Sequence, residues 1–156
     1  MTPRVLTWAR FILAGRRALM LYEQYEPYAK LGERVINNER SLQWIRQTDV
    51  RIGFLRSFKE KHSSGKDVFG ECIKVSELYE PFCPYDFLIV LYEPNIVGMS
   101  ERQLYALMHH ELLHVGVSEK DGELKYQIVP HDIEDFDEII SRYGLHWAAP
   151  GAGGGG

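Results

Sequence analysis

The chain has few of the features that most readily announce a function. Its two cysteines, Cys72 and Cys83, are too few for a disulfide-stapled scaffold and half of what a four-thiolate zinc ribbon needs. They read as buried or free thiols in a reducing compartment, which points to the cytoplasm. Long apolar runs are also missing. The run near the N-terminus at residues 11–14 falls far short of the roughly 20 residues of a membrane span, so no membrane partner is expected. There are no internal repeats.

An excess of one charge is lacking as well, with a net charge of −4, which excludes a uniformly basic nucleic-acid binder. The distribution is uneven, however. Up to Lys66 there are 13 basic and 6 acidic residues (+7); after it there are 5 basic and 16 acidic (−11). A basic patch on the N-terminal half therefore stays open, with nucleic acid or an acidic partner as its ligand. Residues 1–22 carry Arg4, Arg10, Arg16 and Arg17 with no acid before Glu23. That composition suits an amphipathic surface helix or a transit peptide, and the lack of serine favours the helix; a translation start at Met20 is a third alternative.

What is present is enough for one domain: 156 residues, 45% of them hydrophobic. Apolar residues from Leu19 to Ile45 recur at helical spacing, with a break near Asn37-Asn38. Three strand-like runs come next, at residues 50–58, 68–75 and 87–92, rich in β-branched and aromatic residues. The loop around His62 to Lys66 is of hairpin length, and the one containing Pro81 and Pro84 is long enough to cross an edge. Ser100 with Gln103 has the form of a capping box opening a helix over residues 101–115, and Gly116 is placed to close it. A short extended stretch, 125–129, leads through Pro130 to a last helix with Asp132 as N-cap. The expected organisation is an N-terminal helical region (1–48) packed as one unit with a sheet-and-helix domain (49–147), then a disordered Gly-rich tail (148–156).

The well-bounded helix contains His110-Glu111-Leu112-Leu113-His114, the H-E-x-x-H pattern. Residues four apart on a helix point within about 40° of each other, so His110 and His114 can share one zinc ion while Glu111 reaches a metal-activated water. With this histidine and glutamate content the pattern arises by chance roughly 0.02 times per chain. A catalytic zinc takes three protein ligands and keeps a fourth position open. Downstream candidates for the third are His131, Glu134, Asp135 and His146. His131 leads, because a strand and turn could return it to the metal, and Glu134 is the runner-up. Asp135 could instead accept from a ligand imidazole and fix its tautomer. His109, about 100° from His110 around the helix, reads as a packing or outer-layer histidine. Tyr126, Tyr143 and His146 are candidate oxyanion donors.

Several segments together resemble the phage metallopeptidase family, compact relatives of the SprT-like and ImmA-like minimal zincins. They are Arg51-Ile52-Gly53-Phe54-Leu55-Arg56-Ser57, Tyr85-Asp86-Phe87, the His110 to His114 motif, His131-Asp132-Ile133-Glu134-Asp135-Phe136 and Arg142-Tyr143-Gly144. The resemblance implies an α+β zincin-like fold: N-terminal helices, a small three- to four-stranded sheet, the motif-bearing helix and a C-terminal helix. It implies zinc held by His110, His114 and His131, Glu111 as catalytic acid-base, a protein or peptide substrate, and the host cell's cytoplasm as location. The chain carries neither the C-terminal zinc ribbon of SprT-like proteases nor a helix-turn-helix signature, so their ways of engaging substrates are not implied. The competing reading is a non-catalytic module in which zinc only holds the fold together while the basic half binds nucleic acid or an acidic partner. A structural zinc normally fills all four positions, and no fourth ligand is evident.

Overall fold

A computed structural model describes residues 21–131, 137–144 and 147–148. Its organising element is the uninterrupted apolar run Phe87–Tyr92. Such a run has no face to give to water and belongs at the centre of a sheet. There it pairs in parallel with Ile52–Ser57, from Ile52 opposite Phe87 to Ser57 opposite Tyr92. On its other side it pairs antiparallel with Gly70–Lys74. In chain order the strands are β1 (Tyr22–Gln24), β2 (Ile52–Ser57), β3 (His62–Ser63), β4 (Lys66–Asp67), β5 (Gly70–Lys74), β6 (Phe87–Tyr92), β7 (Val115–Lys120) and β8 (Glu123–Ile128). The main sheet has four strands in the order β1-β2-β6-β5, which leaves β5 on an edge. The chain is thus of mixed α+β class, as expected.

The helices are α1 (Glu26–Asn38), the single turn α2 (Glu93–Ile96), α3 (Glu101–Leu113) and α4 (Asp137–Tyr143). Helix α1 turns Tyr28, Val35 and Ile36 inward. After an extended Glu39, residues Arg40–Gln47 form a 3-10 helix that buries Leu42 and Ile45. These side chains meet Phe87, Ile89, Leu91, Met108, Leu112 and Ile139 in the core between sheet and helices. Among the described residues no helix is long and apolar enough to cross a membrane.

The N-terminal helical periodicity reads two elements differently from the structure. Residues 22–24 form β1, antiparallel to β2, because Pro27 sits in the first turn of α1, and a proline there fixes where the helix begins. The break near Asn38 is real, but the segment beyond it, Arg40–Gln47, is a 3-10 helix. The three expected strands form as β2, β5 and β6. The loop with Pro81 and Pro84 joins the antiparallel neighbours β5 and β6 as a wide hairpin and does not cross an edge.

Helix α3 starts as the capping box requires. The Ser100 hydroxyl accepts from the Gln103 amide at 3.2 Å, and the Gln103 side-chain oxygen accepts from the Ser100 amide at 3.0 Å. Its end differs from expectation. His114 is the C-cap in a right-handed conformation, and Gly116 lies within β7. Gly116 instead allows close packing: a Cβ there would lie 2.5 Å from Val129 Cγ2. The extended stretch 125–129 is the return strand of a hairpin, β7–β8, turned by Asp121 and Gly122 at φ 54° and 78°. Both central residues at positive φ are the geometry that Asp-Gly supports in two-residue hairpins.

Candidate metal centre

Two neighbouring devices bring three imidazoles together. Helix α3 stacks His110 and His114 one turn apart, with ring centroids separated by 5.2 Å. The β7–β8 hairpin then carries the chain away and back, so that the Val129 amide donates to the His114 carbonyl at 2.7 Å. That closure places His131 with its ring 4.8 Å from His110 and 4.5 Å from His114. The Nε2 atoms of His110 and His131 stand 2.9 Å apart, and the ligand atoms of all three histidines lie within 4.8 Å of one another. In a tetrahedral zinc site with Zn–N near 2.0–2.1 Å, ligand nitrogens sit about 3.3 Å apart, so the set can close on a single ion with small side-chain adjustments. His114 Nδ1 donates to the Val129 carbonyl at 2.6 Å. That bond fixes its tautomer and leaves Nε2 as the ligand atom.

Glu111 comes directly after His110 and is buried, its Oε1 3.9 Å from His110 Nε2. Its carboxylate is walled by β5. A Cβ on Gly70 would come 2.8 Å from Leu91 Cδ2 and 3.3 Å from Glu111 Cγ, so a glycine here lets Glu111 pack closely against the strand. Burial, and then the Glu111 charge, pushes the Cys72 thiol up, which keeps it protonated. A cleft of about 260 Å3 is lined by Gly70 to Ile73 of β5, by His110, Glu111 and His114, and by Ile128 and His131. Size alone does not distinguish it. A cavity of about 320 Å3 between Ser41, Trp44, Val115 and Gln127 has no titratable side chain in its lining.

His109 points away from the three imidazoles into a separate polar cluster. It is fully buried, with Nδ1 3.1 Å from the Tyr143 hydroxyl and Nε2 against the Glu138 carboxylate. Glu138 also accepts from Ser41 Oγ at 2.9 Å. Beside it, Glu39 accepts from the Tyr105 hydroxyl at 2.7 Å and from Arg142 Nη1 at 2.6 Å. Glu39, His109 and Glu138 could also converge on a cation, but Glu39 already receives two donors. We read the group as an ion-pair and hydrogen-bond clamp holding α4 to α3 and to the end of α1.

The other candidates from the sequence fall elsewhere. Tyr143 stacks edge-on with His109 at 5.8 Å and lines a different cavity, with Arg34 and Arg102; burial pushes its hydroxyl up. Tyr126 packs edge-on against Phe87 at 5.9 Å. Asp132, Glu134, Asp135 and His146 lie outside the described residues, as do residues 1–20 with their four arginines. Sequence reasoning missed the Val129 carbonyl, Gly70, Cys72 and Trp147, whose ring is 6.3 Å from His110. A backbone carbonyl leaves no mark in a sequence. The Asp121-Gly122 pair, by contrast, is a hairpin signal that would have exposed the β7–β8 return.

Comparison with known proteins identifies the family. No curated protein and no solved structure matches the chain. The family model described as putative phage metallopeptidase matches residues 20–150, which takes in every described element. That family's name implies hydrolysis of a protein substrate with the help of a metal. The chain belongs to the phage metallopeptidase family.

Proposed function

We propose that the protein is a zinc-dependent peptidase in which His110, His114 and His131 hold the metal and Glu111 is the general base. The observation that carries this reading is the convergence of three imidazoles beside a buried carboxylate, in a cleft that opens on the sheet edge. Three nitrogen donors and no thiolate are the donor set that suits zinc in a catalytic site. When bound, zinc supplies Lewis acidity, which lowers the pKa of water and polarises a carbonyl.

The chain's own groups do the rest. Glu111 takes a proton from the attacking water and delivers it to the departing amine, a shuttle worth about 10²–10⁴ in rate. The Val129 carbonyl holds the His114 ring in place. Strand β5, unpaired along its outer side among the described residues, offers main-chain donors and acceptors to an extended peptide by strand addition.

Metal analysis and a proteolysis assay on a mixed peptide library test the reading together. The purified protein should hold close to one zinc per chain, and Glu111→Gln should keep the zinc while cleavage falls at least about a hundredfold. Protein that refuses zinc, or a Glu111→Gln variant that cuts as well as the parent, would refute it.

A further inference from the structure

We propose that this cleft selects extended peptides by a large apolar side chain, received beside Ile73 of β5 and Ile128 of β8. The inference rests on the peptidase reading and names the substrate class of the same site. Ile73 and Ile128 are 42% and 40% exposed, and both line the cleft with the three histidines. A single exposed isoleucine is unremarkable. Two of them, on different strands bordering one reactive centre, form apolar surface that an incoming side chain can cover. Their neighbours in sequence, Cys72 and Val129, pack against the core, so the strands presenting them are anchored.

Charge on the same wall points the same way. Of the four β5 residues lining the cleft, only Glu71 is charged. Its carboxylate is engaged by Lys61 and accepts from the Tyr92 hydroxyl at 2.5 Å. A charged substrate side chain would give up hydration there without finding an available counter-charge among the β5 residues that line the cleft. A peptide added to the β5 edge places the residue opposite Ile73 on the same face, with Cβ atoms about 4.5–5.5 Å apart. A leucine at that point buries against Ile73, whereas a serine does not.

The test uses the zinc-loaded full chain and its Ile73→Ser and Ile128→Ser variants, each incubated with a proteome-derived peptide library and read by mass spectrometry. Preference is scored as a ratio within each digest, so it does not depend on overall rate. Leu, Ile, Phe or Met should exceed Ser or Asn by about tenfold at one fixed position from the cut bond, and the ratio should fall below about threefold in both variants. Cleavage with no apolar position, a preference for charged residues, or an unchanged ratio in the variants overturns the proposal while leaving the peptidase reading intact. If the parent cuts nothing, that reading falls, and the proposal is judged on the peptides retained by immobilised zinc-loaded protein. Apolar enrichment that is lost in both variants supports it, and its absence overturns it.

Discussion

Arg142→Ala and Glu39→Ala remove opposite halves of one ion pair, yet their effects should be unequal. The Glu39 side chain is 7% exposed and that of Arg142 is 50% exposed. Removing Arg142 strands a buried carboxylate that keeps the Tyr105 hydroxyl as a donor. Breaking such a pair so that its buried carboxylate is left behind costs roughly 3 kcal/mol, the lower end of the usual range because Tyr105 stays. Removing Glu39 leaves a guanidinium already half in water, which rehydrates. The loss is then about two net hydrogen bonds, roughly 1.5–2 kcal/mol. For a domain of this size each kcal/mol moves Tm by roughly 2–4 °C, so Arg142→Ala should lower it by about 6–12 °C and Glu39→Ala by about 3–8 °C. The double variant is the sharper measurement. With the carboxylate gone, losing Arg142 strands nothing, so the pair of changes should be no worse than Arg142→Ala alone. Thermal melts and urea titrations of the four proteins, at one pH and metal concentration, decide it. Strict additivity, or a Glu39→Ala loss as large as that of Arg142→Ala, would show that the clamp is not closed as described.

Gly70→Ala would set a Cβ 2.8 Å from Leu91 Cδ2 and 3.3 Å from Glu111 Cγ, an overpacking that costs roughly 1–3 kcal/mol. Zinc content should survive, and kcat should fall more than KM rises as Glu111 is displaced; an unchanged kcat would count against the placement of Glu111. Because burial keeps the Cys72 thiol protonated, iodoacetamide near neutral pH should modify it slowly in the folded protein and readily in urea, as read by peptide mass spectrometry. Equal rates would contradict its burial. Burial also raises the hydroxyls of Tyr28, Tyr92, Tyr105 and Tyr143 above their ordinary value of 10.0. A raised folded value means that the folded state favours the neutral phenol. Stability from these groups is therefore complete below pH 10 and is lost as pH rises beyond it. Phenolate absorbance should lag behind that of the urea-unfolded chain; nine tyrosines titrating together near 10 would refute this.

The local signals were strong enough to read without a structure wherever one short segment decides the outcome. Ser100 and Gln103 cap α3 by a bond between residues three apart. The apolar run of β6 declares a buried strand, and the four-residue spacing of His110 and His114 follows from helix geometry alone. The N-terminal segment misled because Leu21 and Tyr25 keep a helical spacing while Pro27 starts the helix later. Gly116 misled because a glycine after a helix suits both a left-handed cap and a close contact, and the nearness of Val129 is not local.

By itself, then, the sequence determined the bounded helix and the placing of two histidines and a carboxylate on it, since each depends on residues near one another in the chain, while the α+β class came from the family resemblance. Tertiary structure decided the rest. His131, which the sequence offered ahead of Glu134, comes to the pair because the β7–β8 hairpin closes on the His114 carbonyl. Gly70 and Cys72 flank Glu111 only because β5 pairs with β6 and so falls at the sheet edge. His109 faces Glu138 and Tyr143 only because α4 packs behind α3. These are contacts between residues far apart in the chain, set by strand order and packing, which no spacing in the sequence encodes.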